Sequence, residues 1–279
     1  PGDRELLVAQ NEVLNLLHQR DLAAIPKVLP STRQESLISL EANGQPLLLR
    51  VLTFVPGRIL AECTPYRPAL LRSLGRTIGQ LDEALTGYDH PAFHYQFDWD
   101  LACGLEVVER YRELIADPEV REGVDVIQRD FREVVVPRLG QLRRSVIHND
   151  ANDYNVLAEG DEVSGLIDFG DMIHTHTICD LAIAMAYVTL GAEDVLQAIT
   201  SMAAGYHAAR PIQSDELTVL LPMVRMRLAL SACMSAYQMQ QRPDDPYLAI
   251  SQEPIRKTLP KLMALDADSV EQQLRAVLP

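Results

Sequence analysis

Apolar positions along the chain fall into two regimes. Near its start, Leu6, Leu7, Val13, Leu14 and Leu17 recur mostly on one helical face, with Asp3 as the expected N-cap. Ile25-Pro26 ends that pattern, and residues 28–29, 37–40 and 47–53 read as short strands. Asn43-Gly44, between the last two, suits a two-residue hairpin turn because both tolerate positive φ. From Arg67 onward the spacing becomes helical, over 67–85, 101–115 and 120–142, with a kink expected at Pro137. Extended apolar runs then interrupt the helices at Val146 and Ile147, Val156 and Leu157, and Leu166 and Ile167. Residues 177–190, 193–206, 216–241, 255–264 and 269–277 read as further helices, and Pro222 is expected to break the longest. The pattern predicts an α+β chain: residues 1–57 as a helix plus a small antiparallel sheet, then 58–279 as a large helical piece. A linker near 55–66 joins them, and a hairpin is inserted in the helical piece.

That hairpin region, SVIHNDANDYNVLAEGDEVSGLIDFGDM (145–172), carries more Asp and Asn than a hairpin needs. His148, Asp150 and Asn155 follow one apolar strand and Asp168 ends another. If those strands pair antiparallel, Asp150, Asn155 and Asp168 converge at one end. Carboxylate and amide oxygens together suit a hard cation such as Mg2+, which takes few protein ligands and keeps phosphate and water oxygens for the rest. Asp150, offset from the metal ligands, is then free to accept a hydrogen bond from a hydroxyl nucleophile, a division of labour that phosphoryl transfer requires. Asx residues are common in turns, so any one of these alone is more often a turn former than a ligand. The combination of H-x-D-x-x-x-x-N with I-D-F-G thirteen residues beyond Asn155 favours the chemical reading.

Composition narrows the partners. The 279 residues are 47% hydrophobic and 23% charged, without repeats or low-complexity runs. Asp and Glu outnumber Lys and Arg by 39 to 25, a net charge of −14, which argues against a nucleic-acid partner. An acidic protein can attract a cationic small molecule, although solubility alone accounts for such a balance in most cases. No uninterrupted apolar stretch approaches about 18 residues, so no membrane span is expected. Cys63, Cys103, Cys179 and Cys233 are scattered, with no C-x-x-C. Together with the lack of a charged-then-apolar leader, they point to a reducing cytoplasm. The Met-rich run at 221–239 has helical spacing and reads as packed core.

HNDANDYNVL resembles the catalytic loop of the aminoglycoside phosphotransferase and choline kinase group, within the protein-kinase-like fold, and LIDFGD resembles its metal-binding segment. Asn149 stands where that group usually has Gly. The resemblance implies a two-lobe fold with a truncated N-terminal β lobe and a large helical C-terminal lobe. It makes Asp150 the catalytic carboxylate and Asn155 and Asp168 the Mg2+ ligands, with His148 a structural member of the loop held by Asp180. It also makes Glu12 the helix residue that pairs with a phosphate-binding Lys. Thr53, Phe54 and Val55 become the hinge whose backbone bonds the purine of ATP or GTP. Within the group, RVLTFVPG, FDWDL and NDYN are most similar to hydroxylysine kinase-like proteins.

The activity implied is transfer of the γ-phosphoryl group to a hydroxyl of an amino alcohol, a hydroxylated amino acid or an aminoglycoside. A cationic acceptor would meet Asp171 and Asp153, with Trp99 offering a cation–π face. Asp98, Asp100, Tyr154 and Tyr237 are further candidates. His174 and His176 suggest a metal pair, but without a third ligand nearby they read as structural. The family's glycine-rich loop and nucleotide-contacting Lys lie upstream of the Glu-bearing helix, where this chain begins. Its only lysines, Lys27, Lys257 and Lys261, all follow Glu12. Either the first strands of a longer protein lie upstream, the reading that the abrupt start at Pro1 favours, or the domain binds nucleotide poorly; fusion to further domains is open, and this chain alone is expected to be weak or inactive. The competing reading is a non-catalytic kinase-like regulatory or scaffolding module.

Overall fold

The computed structural model describes residues 4–20, 22–245 and 250–278; Asp3, the expected N-cap, lies outside them. Helix α1 (Arg4–Leu17) buries Ala9, Val13, Leu14 and Leu17, the apolar face expected from their spacing. Strands β2 (Ile38–Ala42) and β3 (Gln45–Leu49) form an antiparallel hairpin in which Ala42 faces Gln45. Asn43 and Gly44 turn it with φ of 52° and 73°, the two positive values such a turn demands. Strand β1 (Val28–Leu29) pairs with β4 (Val51–Leu52).

A three-stranded sheet joins this region to the site. It orders β5 (Arg58–Ile59), β7 (Val156–Glu159) and β8 (Glu162–Leu166). Ala24 docks on its edge, donating to Ser164 O at 3.0 Å and accepting from Leu166 N at 2.9 Å. Gly165 permits that approach, since a Cβ there would lie 2.7 Å from Val55 Cγ1 and 3.1 Å from Ala24 O. The sequence placed the apolar run at Val146 and Ile147 in one hairpin with the other two. Instead β6 (Arg144–Ile147) pairs with β9 (Ile173–His176), so the loop at 148–155 and the Asp168 segment each cross from one sheet to the other.

Helices make up the rest. Helices α2 (Pro68–Ala84) and α6 (Val195–Ala209) meet backbone to backbone: a Cβ on Gly75 would sit 1.9 Å from Met202 O. After α3 (Gly104–Tyr111) comes α4 (Pro118–Asp130), which passes into a π turn at Phe131–Val135 and a 3-10 stretch at Val136–Gln141. The bend expected at Pro137 therefore begins a turn and a half earlier. Proline cannot donate to the carbonyl four residues back and its ring clashes there, so the preceding turn widens to absorb both defects.

Pro222 does not break α7 (Ser214–Gln241), contrary to expectation. The helix is buried along most of its length, with Leu217, Val219, Leu220, Leu221, Met223 and Val224 enclosed around the proline. Each such side chain contributes about 1.5–3 kcal/mol on burial, which offsets the roughly 3 kcal/mol an interior proline costs. α7 is also long and apolar enough to cross a membrane, which no uninterrupted apolar run foretold; 94% of its apolar window is buried inside the protein. Helices α5 (Ile178–Gly191), α8 (Gln252–Met263) and α9 (Ala267–Val277) pack against it.

Candidate active site

The catalytic loop begins where β6 ends, and its backbone is fixed from beneath. Asp180, buried in the first turn of α5, accepts from His148 N at 3.0 Å and Asn149 N at 2.8 Å. Asn149 has φ of 66°, a left-handed conformation that glycine adopts freely and asparagine tolerates. That explains how Asn can occupy the position usually held by Gly. Behind Asp180 lies Asp82, a residue outside both motifs that no local pattern announces. Burial pushes the Asp82 carboxyl well above the usual range, and the charge of Asp180 adds to this. Of the two, Asp82 is driven further toward its neutral form, and it accepts from the Tyr206 hydroxyl at 2.6 Å. Burial raises Asp180 as well, but the two loop N–H groups pointing at it favour its charged form. Asp180 therefore retains the charge that binds the loop.

His148 links the two motifs. Its Nδ1 accepts from Asp150 N at 3.2 Å, which leaves Nε2 as the donor to Ile167 O at 3.1 Å. Phe169 packs edge-on at 4.6 Å. With both ring nitrogens engaged, His148 is a structural hub. Asn155 donates to Asp150 O and Oδ2, both at 2.9 Å, and Asn152 donates to the same Oδ2 at 3.0 Å. The Asn152 amide oxygen in turn accepts from Tyr154 N and Asn155 N, closing the loop as an Asx turn.

The bond from Ile167 N to Asn155 O, 2.9 Å, brings Asn155 and Asp168 beside each other across β7 and β8. Asp168 is exposed, at φ 61°, with Oδ1 accepting from Gly170 N at 3.2 Å. Because Asn155 spends its NH2 on Asp150, its amide oxygen is the atom available for a cation. An amide oxygen beside an exposed carboxylate is a hard-oxygen donor set that fits Mg2+.

A cavity of about 600 Å3 opens above the loop, with Asp150, Asp153, Asp171, Trp99, Tyr187 and Arg227 in its walls. One side is a stripe of α7, Arg227, Ser231, Ser235 and Gln238, at successive helical turns. The Met-rich run is therefore core on its other faces and a polar wall on this one. A cleft of 660 Å3 around Pro56–Arg67 is of similar size but holds none of the motif residues. Asp153 is pushed up to about 6, chiefly by burial and further by Asp150. Burial also raises Asp171, with Asp150 adding and Arg227 opposing.

Several expected residues lie elsewhere. Glu12 is exposed, and its carboxylate accepts from the Tyr88 hydroxyl at 3.3 Å. At about 100° per residue, Glu12 stands on the opposite side of α1 from Gln10, whose Nε2 donates to Gly170 O at 2.8 Å. Asn11 accepts from Arg50 Nη1 at 3.3 Å, and Arg50 lies in the field of Asp168, neither of which the sequence flagged. At the hinge, Thr53 N donates to Lys27 O at 2.9 Å and Thr53 Oγ1 accepts from Lys27 N at 2.8 Å. Its N–H is thus committed within the chain. Phe54 is 88% exposed and Val55 is buried.

Trp99 lines the cavity, but Arg227 sits over its ring at 4.7 Å, so the cation on that face is the protein's own. Asp98 pairs with Arg110, Asp100 caps Ala102 N and accepts from Thr175, and Tyr237 stacks on Tyr111 at 4.4 Å. Tyr154 remains in the cavity wall. A third potential ligand does stand near His174: His94 stacks on it at 4.4 Å, and His94 Nε2 is 2.7 Å from Asp89. Near-parallel rings aim their nitrogens side by side rather than at one point. His176 is buried apart, pulled down to about 4 by that burial.

The match to known proteins follows this geometry. The model of the "Phosphotransferase enzyme family" covers residues 1–212, from α1 through the catalytic loop and α6. The chain belongs to that family. It is a phosphotransferase acting on hydroxyl groups, and its named relatives are small-molecule kinases. Hydroxylysine kinase of Mus musculus is 32% identical over 253 residues, 85% of this chain and 67% of that protein. The Danio rerio hydroxylysine kinase is 29% identical over 279 residues, 95% and 78% respectively. Among solved structures, a microcompartment-associated aminopropanol kinase aligns at TM-score 0.70 and 18% identity, covering all of this chain and 84% of its own. The amicoumacin kinase hAmiN, in complex with AMP-PNP, Ca2+ and Ami, aligns at 0.70 and 17%, covering 96% and 82%. These likenesses establish the protein-kinase-like fold, and Arg227 lies beyond the residues the family model matches.

Proposed function

We propose that the protein is a Mg2+-dependent kinase that transfers the γ-phosphoryl group of ATP or GTP to a hydroxyl of a cationic amino alcohol or hydroxylated amino acid, of the hydroxylysine kind. The observation that carries the cationic acceptor is the pair Asp153 and Asp171. Both are desolvated carboxylates in the wall of the Asp150 cavity, and neither forms an ion pair among the described residues. Burying such charges without a partner is costly, and an ammonium group supplied by the acceptor removes the cost.

In this reading Asp150 accepts the hydroxyl hydrogen and orients the oxygen toward the γ-phosphorus. As that oxygen bonds to phosphorus, the bond to the nucleoside diphosphate breaks and the hydroxyl proton passes to Asp150. Asn155 and Asp168 would hold Mg2+, whose charge offsets that of the phosphates. Gln10 and Asn11 tie α1 to the Asp168 segment and to Arg50, which supplies a cation on the nucleotide side. A panel of 5-hydroxy-L-lysine, 1-amino-2-propanol, choline, homoserine, an aminoglycoside and a neutral polyol tests this, scored by consumption of MgATP and MgGTP. Turnover of amine-bearing hydroxyls alone is expected; equal turnover of the polyol would refute the cationic acceptor. Absence of both turnover and Mg-nucleotide binding would favour the non-catalytic module.

A further inference from the structure

Asp150 is held by more than its own loop. A carboxylate offers about four lone-pair positions, two on each oxygen. On Oδ2 both are taken, by Asn152 at 3.0 Å and Asn155 at 2.9 Å. On Oδ1 one is taken, by Arg227 Nη2 at 3.1 Å, from a residue 77 positions away on α7. One acceptor position, on Oδ1, is left.

We propose that Arg227 is a positioning residue for Asp150, clamping its carboxylate so that this one remaining lone pair on Oδ1 receives the acceptor hydroxyl. The inference rests on the kinase reading above. The guanidinium is itself immobilised. Nη1 donates to Trp99 O at 3.2 Å, and the group lies 4.7 Å from the Trp99 ring centre and 5.4 Å from that of Tyr187. The Arg227 side chain is only 2% exposed. A guanidinium so enclosed, with one fork nitrogen on Asp150 and the other on a backbone carbonyl, cannot offer a two-pronged grip to a substrate carboxylate. What it can do is fix the direction of Asp150. A lysine would keep the charge but not the planar fork that spans Asp150 and Trp99 O.

Trp99 is the only tryptophan in the chain and lies under the guanidinium, so its emission reports the clamp without any assay of activity. The test compares wild type, Arg227→Lys, Asp150→Asn and the double variant as full chains. Steady-state kinetics use MgATP and 5-hydroxy-L-lysine, with Trp99 emission recorded in parallel. Arg227→Lys is expected to lower kcat about 100-fold, the scale of a small misplacement of a catalytic group, with the acceptor KM within about twofold. Adding it to Asp150→Asn should cost nothing further, because Arg227 acts through Asp150. Asp150→Asn alone should shift Trp99 emission, since the guanidinium loses the anion that holds it over the ring.

A raised KM at unchanged kcat would overturn the proposal, assigning Arg227 to acceptor binding. Losses that multiply in the double variant would overturn it too, as would an Asp150→Asn protein with wild-type Trp99 emission. If wild type neither turns over an acceptor nor binds Mg-nucleotide, the kinase reading fails. The emission of Asp150→Asn then decides the clamp alone, and does so even if the Arg227 variant does not fold.

Discussion

On the acceptor side of the cleft, Asp150 takes donors from Asn152, Asn155 and Arg227, and the loop beneath it rests on buried Asp180 and His148. On the side built from α1 and β1–β4, Leu29, Leu40, Leu47, Leu49, Val51 and Phe54 stand exposed. Leu40 faces Leu47, and Leu29 faces Val51, so the exposed residues include cross-strand apolar pairs. Among the described residues, Gln10 reaches the Asp168 segment through a hydrogen bond to Gly170 O, and Arg50, held by Asn11, lies in the field of Asp168. The contrast shows where preorganisation resides. Buried hydrogen bonds in a low-dielectric interior are strong and mutually reinforcing, so the acceptor side arrives with its geometry set.

Substitutions should separate the two sides in order of size. Asp150→Asn is expected to reduce kcat by about 10^2- to 10^4-fold in steady-state assay, and to lower the melting temperature while leaving the protein folded, because buried Arg227 loses its anion. Such a loss without unfolding would place its role in the chemistry. Asp180→Asn should cost about 2–4 kcal/mol in urea unfolding, because two buried loop N–H groups lose the anion they point at. Asp82→Asn should cost less, about 1 kcal/mol, since burial drives that carboxyl toward its neutral form. Equal losses at the two positions would contradict the assignment of charge to Asp180.

Acid should weaken the acceptor side through His176, whose strand β9 backs the root of the loop. An unfolded imidazole takes its proton near 6.5, whereas buried His176 takes it only at about 4. Its contribution to stability is complete above 6.5 and is lost as pH falls through the window toward 4. Between pH 7 and 4.5, wild type should lose about 2–3 kcal/mol more than His176→Asn in urea titrations. The subtraction matters because Asp100 and Asp171, raised by burial, shift stability in the opposite direction. The smallest effect belongs to the other side: Phe54→Ser should change stability by no more than about 0.5 kcal/mol. A loss several times larger would mean that the exposed face is packed after all.

Local spacing made much of this legible. The Asn43-Gly44 turn and the Asp150, Asn155 and Asp168 set each depend on residues close in sequence. Glu12 stands exposed, because helical rotation turns Gln10 and Asn11 inward instead. Trp99 was placed in the cavity, but the ring face assigned to an acceptor cation is filled by Arg227. That residue, like Asp82 beneath Asp180, reaches the site only through tertiary packing, and no local pattern announces it. Pro222 misled for the same reason, since its flanks are buried by distant helices.

In the proposed function, Asp153 and Asp171 receive the ammonium group of an acceptor whose hydroxyl meets Asp150. Calorimetric titration of 5-hydroxy-L-lysine into wild type and into the Asp153→Asn/Asp171→Asn double variant decides whether they do. Binding by wild type, weakened at least about 10-fold in the variant, a difference of about 1.4 kcal/mol, is the expected result. Equal affinity in the two proteins would contradict it.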